Sequence, residues 1–381
     1  FRVARVLSAE RHPQADKLQV LSVDAGDGPM QVVCGASNAR AGMLGVFGPS
    51  GAYVPGAGIT LKVAAIRGIE SSGMMCSARE LEIGEGHEGI IELPADAPVG
   101  TSYPDYAGLT DPVIDVSVTP NRQDCMGVRG IARDLAAAGL GTLKPLRVEP
   151  VEGEGAGPDV RTEAAGCPAF YAQGVSGVTN GTSPEWMRRR LQAIGQKPIS
   201  ALVDITNYVM FDLGRPLHVY DRAKLTGGLV ARPAREGEEV VALNGRTYRL
   251  AEGMTVIADD AAVHDIGGIM GGEHSGVTPD TSDVVIECAY FDPEGIARTG
   301  QALTLTSDAR SRFERGVDPA FLDDGLAIAT RLVLDLCGGT ASGVTRAGHP
   351  PAERHAIAYD PHLARDLGGL AVPPEQQARI L

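Results

Sequence analysis

Short runs of alternating apolar and polar residues fill the first 108 positions of the chain, and Gly and Pro separate them. A period of two is typical of half-buried β-strands. The pattern predicts strands at residues 2–6, 18–23, 30–34 and 59–64. Several short strands with regular turn signals favour a small β-barrel or sandwich over residues 1–108.

The apolar period then changes to that of a helix. Within residues 109–150, Asp124 is a good N-cap and Gly139 a good helix end. Between them, four apolar residues fall on one helical face: Val128, Ile131, Ala132 and Leu135. The acidic, Gly-rich stretch that follows predicts a linker at residues 151–165.

Residues 166–345 mix both periods. Helical patterns cover residues 183–195, 202–212 and 319–336. Strand patterns cover residues 228–232, 239–243, 255–258 and 284–290. Residues 346–381 contain one more short helical pattern. The sequence therefore predicts a multidomain α+β protein.

Composition narrows the class of protein. The net charge of −14 argues against a broad nucleic-acid surface, so any RNA contact is expected to be local or shared with a partner chain. The six cysteines lack any CxxC spacing, which predicts reduced thiols of a cytoplasmic protein and neither a zinc site nor a disulfide framework. No apolar run approaches the roughly 18 residues of a membrane span.

Three motifs in the first segment are specific only in combination. They are HPQADKL at 12–18, VCGASN at 33–38 and RGIESSGMMCS at 67–77. Together they resemble the tRNA-binding OB-fold module of several synthetases. Taken singly, His12-Pro13 is more simply a turn, and Gly73 a bulge.

The remaining motifs resemble the β subunit of bacterial phenylalanyl-tRNA synthetases, in the order found in that family. They are TPNRQDC at 119–125, GIARD at 130–134, VDITNYVM at 203–210, GRPLHVYD at 214–221, GIMGG at 268–272, ECAYFDP at 287–293 and RFERGVDP at 312–319.

The resemblance implies an OB-fold tRNA-binding module at 1–108, a helical segment of a split N-terminal domain at 109–150, an editing domain at 166–345 and the start of a DNA-binding-like domain at 346–381. It implies as partners an α subunit, in an α2β2 heterotetramer, and tRNA(Phe). The complete synthetase would use ATP and Mg²⁺, whereas this portion is expected to bind no cofactor and no metal. No adenylate-forming motif is present, so synthesis is expected on the α subunit.

Glu287 is a carboxylate within an apolar strand pattern, where it shares a face with Val285 and Ala289. Such a residue is costly unless it is paired or solvated. From the residues alone, a structural ion pair with an Arg, an exposed edge and a functional role all stay open. The resemblance implies that Glu287 lies in the editing pocket and binds the hydroxyl of a tyrosyl group.

His218 follows a Pro-Leu turn, where a structural role is the more common one. The resemblance places it beside the ester and the attacking water, where a neutral imidazole can orient water or accept a proton. We therefore predict His218 and Glu287 as the catalytic pair for editing.

The resemblance also implies a set of substrate-binding residues: Thr206, Asn207, Gly268, Ser307 and Ala309. Simpler roles exist for several of them. Thr206 can bond its own helix, Asn207 can cap a neighbour, and Gly268 can form a tight turn. Because Thr306 and Ser307 depart from the family pattern, the competing hypothesis is a non-catalytic tRNA-binding and assembly scaffold with a degenerate editing site.

Overall fold

A computed structural model describes residues 1–84, 86–110, 112–352 and 356–381. The chain forms two units, Phe1–Ile114 and Asp115–Leu381. In the described ranges the strands are β1 Arg2–His12, β2 Ala15–Asp24, β3 Pro29–Cys34, β4 Leu44–Pro49, β5 Tyr53–Val54, β6 Ile59–Thr60, β7 Ala64–Ile66, β8 Ile69–Ser71, β9 Gly73–Met75, β10 Val160–Thr162, β11 Ala169–Ser176, β12 His218–Asp221, β13 Leu229–Pro233, β14 Glu239–Val241, β15 Thr247–Arg249, β16 Thr255–Ala258, β17 Val263–Ile266, β18 Asp283–Tyr290 and β19 Thr340–Gly348. The helices are α1 Tyr103–Tyr106, α2 Val128–Ala137, α3 Glu185–Ala193, α4 Ala201–Leu213, α5 Pro293–Ala302, α6 Asp308–Phe313, α7 Leu322–Cys337, α8 Leu363–Asp366 and α9 Pro374–Ile380.

The first unit contains a five-stranded antiparallel sheet in the order β3-β2-β1-β4-β9. Apolar residues from alternate positions, among them Val6, Leu21 and Phe47, form its core. Three of the predicted strands are confirmed as β1, β2 and β3. The predicted strand at 59–64 is wrong over most of its length, because Ile59 and Val63 are exposed and Leu61 alone among its apolar residues is buried. The OB-fold assignment of this unit stays a prediction.

The predicted helix of the 109–150 segment is present as α2, but its predicted N-cap is wrong. Gly127 is the N-cap residue, and residues 123–125 form a separate 3-10 turn. The Asp124 carboxylate instead accepts hydrogen bonds from Arg122 at 3.0 Å and Arg133 at 3.1 Å. Two arginine partners thus hold the side chain away from the helix terminus.

The second unit is layered as sheet, sheet and helices. One four-stranded sheet has the order β10-β13-β16-β17, and the other has the order β12-β18-β11-β19. Apolar side chains from both sheets meet in a first core between them. A second core lies between the β12-β18-β11-β19 sheet and helices α3, α4 and α7. Strand β18 contributes alternate residues to both cores, which is the expected result of a period of two.

The mixed α+β prediction for this region is confirmed, and α3, α4 and α7 match the predicted helices. Segment 151–165, predicted as a linker, includes β10, which pairs in parallel with β13. Strand β19 continues to Gly348, past the predicted boundary at 345. The domain limits, and the DNA-binding-like assignment of 346–381, stay predictions.

The connection from α4 to β12 is fixed from both sides. Gly214 ends α4 with a φ of 71°, a value that favours glycine. The next residue, Arg215, is buried and donates hydrogen bonds to the carbonyls of Ala289, at 3.1 Å, and Asp318. These bonds hold the loop before His218 against β18.

Across the described residues, no helix is both long enough and apolar enough to span a membrane.

Candidate functional site

A cavity of about 70 Å³ opens in the second unit beside β12, β17 and β18. Its wall is apolar apart from three side chains: His218, Asp265 and Glu287. The other lining residues are Pro216, Leu217, Ile257, Ile266, Gly268, Ile269, Met270, Gly271, Phe291, Ala309 and Phe313.

Strand pairing places Glu287 at the back of this cavity. β18 is an inner strand, and Glu287 lies opposite His218 on β12 and Ala172 on β11. Its residue exposure is only 6%, so an exposed edge is excluded. Within the described ranges Glu287 forms no ion pair with an arginine, because the buried Arg215 donates to carbonyls instead.

Asp265 on β17 is a second buried carboxylate in the cavity, and the sequence analysis missed it. One oxygen accepts the backbone N–H of Gly272 at 2.9 Å, and the other accepts the hydroxyl of Tyr220. The Tyr220 oxygen also lies 3.4 Å from Glu287. The sequence signal was weak, because two of the four residues of the strand VHDI at 263–266 are polar and Asp265 does not stand out there as Glu287 does in β18.

The Glu287 carboxyl is expected to be neutral at pH 7. Burial, and after it the negative charge of Asp265, raises the pKa of Glu287 to about 8. Burial also raises the pKa of Tyr220 well above its ordinary value, so its hydroxyl keeps its proton. Because Tyr220 donates that proton to Asp265, a protonated Glu287 can donate to the Tyr220 oxygen. The result is one neutral acid at the back of an apolar cavity.

His218 presents an unbonded ring nitrogen at the cavity wall. The ring packs edge-on against Tyr220, with centroids 4.5 Å apart. Its Nε2 atom lies 3.9 Å from Asp265, beyond hydrogen-bond distance, and finds no hydrogen-bond partner among the described residues. This nitrogen is buried and unsatisfied, so it keeps the capacity to bond a water molecule or a substrate group that reaches it.

Glycines in the GIMGG segment allow the backbone to approach these side chains closely. A Cβ atom at Gly271 would lie 2.5 Å from the His218 ring. At Gly268 it would lie 2.8 Å from both Phe291 and Ile296, and the φ of Gly268 is 69°. Gly268 therefore combines the two roles considered for it, a tight turn and a lining position.

The structure brings only some of the predicted substrate-binding residues to the cavity. Gly268 and Ala309 line it. Ser307 instead caps α6 by accepting the Arg310 N–H at 2.9 Å, and it donates to the carbonyl of Ile269 at 2.6 Å. It thus supports the loop that carries a lining residue.

Thr206 and Asn207 lie on α4, outside the set of lining residues. The Thr206 hydroxyl donates to the Val203 carbonyl at 2.8 Å, the bond to its own helix considered above. Asn207 is half-buried. The substrate role of both residues stays a prediction.

The buried neutral acid predicts a pH-dependent stability. Glu287 has an ordinary pKa of 4.5 and a folded pKa of about 8. Between these pH values the unfolded chain loses the proton and the folded chain keeps it, so the free energy of unfolding falls as pH rises, by on the order of 5 kcal/mol in total. We expect Glu287→Gln, which cannot ionise, to flatten this dependence and to melt above the wild type at pH 8. The melting temperatures of the wild type and Glu287→Gln at pH 5 and pH 8 measure this dependence. An equal change in melting temperature between the two pH values for both proteins would contradict a buried neutral acid.

A cluster of potential metal ligands lies outside the cavity. Among the described residues, the one group of three close ligand atoms is Asp124, Cys125 and Asp134. Its carboxylates already pair with Arg122 and Arg133. All six cysteines are free and buried.

Two domain families match this chain. Residues 1–102 match the tRNA binding domain family, and residues 166–338, which include the cavity, match the B3/4 domain family. The chain thus combines a tRNA-binding domain with a B3/4 domain.

Curated relatives cover the whole chain. It is 66% identical to the phenylalanine–tRNA ligase beta subunit of Novosphingobium aromaticivorans and 59% identical to that of Zymomonas mobilis subsp. mobilis, over 384 aligned residues each. The chain belongs to the family of phenylalanine–tRNA ligase beta subunits. It spans about half the length of these relatives, 48% and 49% respectively.

A solved N-terminal fragment of the phenylalanyl-tRNA synthetase beta subunit from Pyrococcus horikoshii is a distant match. It is 15% identical with a TM-score of 0.34, over 68% of this chain and 73% of that one. A similarity at this level supports no argument about the site.

Proposed function

We propose that the complete protein attaches phenylalanine to tRNA(Phe) in the cytoplasm, together with an α subunit in an α2β2 heterotetramer and with ATP and Mg²⁺. The printed name of the relatives supports the ligase role. Within this chain, residues 1–108 bind tRNA, and the cavity hydrolyses tyrosine wrongly esterified to tRNA(Phe).

The observation that carries the editing proposal is the buried carboxyl of Glu287 at the back of an apolar cavity. A tyrosyl hydroxyl offers this group a hydrogen-bond partner, whereas a phenylalanyl ring brings only carbon to the same place. An apolar synthetic pocket rejects an added hydroxyl by only about a hundredfold, while a site built to bond it discriminates far better. A second pocket that recognises the hydroxyl therefore supplies the missing selectivity.

The chemistry required is hydrolysis of an ester. Water attacks the carbonyl carbon of the aminoacyl group, the bond to the ribose oxygen breaks, and that oxygen takes up a proton. The free Nε2 of His218 either orients the water or accepts its proton. This reaction needs held water and stabilised charge.

One observation favours the alternative of a tRNA-binding and assembly scaffold with a degenerate editing site. Thr206 and Ser307 bond within or beside their own helices, and neither lines the cavity. A scaffold would bind tRNA and leave the ester intact.

A deacylation assay separates the two functions. tRNA(Phe) charged with tyrosine or with phenylalanine is mixed with the chain and with the complete heterotetramer, and release of the amino acid is followed. We expect tyrosine to be released at least about a hundredfold faster than phenylalanine. Release no faster than in buffer, from a tRNA shown to be bound, would leave the scaffold function.

A further inference from the structure

Helix α3 concentrates positive charge in an acidic chain. Residues 184–200 contain four cations, Arg188, Arg189, Arg190 and Lys197, and one carboxylate, Glu185, while the whole chain has a net charge of −14. Met187 and Leu191, on the apolar side of α3, pack into the second core, so the cations lie outside that core. In the described ranges, the side chains of Arg188, Arg189 and Lys197 form no ion pair.

Aromatic rings lie beside these cations. Trp186, the only tryptophan of the chain, is 42% exposed and packs edge-on against Tyr208 of α4 at 5.3 Å. The Arg190 guanidinium lies 5.3 Å from the Trp186 ring centre and donates to the Tyr208 hydroxyl at 2.8 Å. These contacts hold an exposed ring and a cation in one fixed arrangement.

We call the set Trp186, Arg188, Arg189, Arg190 and Tyr208 the basic–aromatic surface. Asp212 lies against this surface; burial raises the pKa of its carboxyl, although a hydrogen bond with Tyr208 and the charge of Arg190 act in the opposite direction. The charge of Arg190 is partly compensated by Asp212, whereas the charges of Arg188 and Arg189 have no ion-pair partner among the described residues. Cations beside an exposed ring are suited to a polyanion that also offers unstacked bases.

The basic–aromatic surface is connected to the cavity through one helix. α3 packs on α4, and α4 leads through Gly214 to Pro216 and His218 at the cavity wall. Between Tyr208 and Pro216 the chain spans at most roughly 20 Å, from a rise of about 1.5 Å per helical residue and about 3.6 Å per extended residue. A few unpaired nucleotides can cover such a distance.

We infer that the basic–aromatic surface binds the unpaired 3′ end of the tRNA and leads its terminal ester into the cavity. This inference rests on the proposed editing function. The rings stack on unpaired bases, which duplex RNA would not offer, and the arginines contact the phosphates.

The fluorescence of Trp186 reports binding directly, because no other tryptophan contributes. The chain is titrated with tRNA(Phe) and with the same tRNA trimmed of its unpaired 3′ nucleotides. We expect the intact tRNA to change the emission and the trimmed tRNA to leave it unchanged, although both bind elsewhere on the chain. Identical responses to the two tRNAs, or no response at saturation, would overturn the inference.

Two variants test the contacts separately. Trp186→Ala should weaken binding of a short single-stranded 3′-end oligonucleotide by roughly 5- to 150-fold, and Trp186→Phe, which keeps a stacking ring, should retain most of it. Arg188→Gln/Arg189→Gln should lower the slope of log affinity against log salt by about 0.7 per arginine.

Arg365→Gln/Arg379→Gln is the matched control, because it removes the same charge from exposed positions in α8 and α9. If both double variants weaken binding equally, the effect is one of net charge and the inference is overturned. It is also overturned if Arg188→Gln/Arg189→Gln binds RNA normally but no longer assembles with the α subunit. Hydrolysis is scored independently. A Trp186 response without tyrosine release refutes the editing function alone, and rapid tyrosine release unaffected by the α3 variants refutes the surface alone.

Discussion

His218→Ala is expected to slow hydrolysis of tyrosyl- and phenylalanyl-tRNA alike, by about 10²- to 10⁴-fold, the usual contribution of a positioned proton-transfer group. The side chain lies at the wall of the cavity with an unbonded Nε2, and its proposed role is at the water and the ester and not at the ring of the amino acid. Initial rates of deacylation for the two esters measure the effect. A folded variant with wild-type rates would place the chemistry on other residues.

His218→Gln distinguishes the two roles left open for this residue. An amide can hold a water molecule but cannot accept its proton at neutral pH. A rate close to that of the wild type therefore indicates positioning, whereas a rate close to that of His218→Ala indicates proton transfer.

Gly271→Ala tests the placement of the ring without removing it. The new Cβ atom would lie 2.5 Å from the His218 ring, so the ring must move. We expect a lower rate with unchanged preference between the esters. Gly181→Ala is the control, because its Cβ atom would meet no heavy atom within 4 Å.

Glu287→Ala is expected to impair selectivity, in contrast to His218→Ala. Without Glu287 the tyrosyl hydroxyl is buried with no hydrogen-bond partner, which costs about 1–3 kcal/mol and lowers hydrolysis of tyrosyl-tRNA roughly 5- to 150-fold. Hydrolysis of phenylalanyl-tRNA should not fall comparably, since the phenylalanyl ring makes no such bond. Single-turnover deacylation of both esters, compared as a ratio, gives the result.

Glu287→Gln serves as the isosteric control, because it keeps a donor and an acceptor at the same place and is expected to retain part of the preference. Phenylalanylation by the heterotetramer should survive both substitutions if synthesis takes place on the α subunit. Equal losses for the two esters would assign Glu287 to the bond-breaking step and refute its proposed role at the ring.

Local pattern predicted helix α4 and strand β18, but not strands β12 and β17, which carry His218 and Asp265. The apolar residues of helix α4 and strand β18 form continuous patterns with clear end signals. In β18, the period of two correctly placed Glu287 on the face of Val285 and Ala289. The N-cap prediction at Asp124 failed because Arg133, nine residues away, competes for the carboxylate. Local rules do not include such a partner.

The polar network of the cavity lay beyond sequence reasoning for a related reason. Asp265, Tyr220 and Glu287 belong to strands separated by up to 67 residues, and only the packing of two sheets brings them together. Thr206 shows a different limit, because its motif is present while its hydroxyl bonds to its own helix. Which residues of a motif line a cavity depends on the three-dimensional arrangement.

Because Glu287 lies on an inner strand, the stability of the domain and its proposed selectivity for the tyrosyl ester favour different residues at this position. An apolar residue of similar size there would relieve the interior of an ionisable group and stabilise the domain, while removing the proposed hydrogen bond to the hydroxyl. Mutational drift at this position would therefore yield proteins that are more robust and less accurate. Neither expression level nor thermal resistance would reveal the defect, and only misincorporation of tyrosine in newly made proteins would.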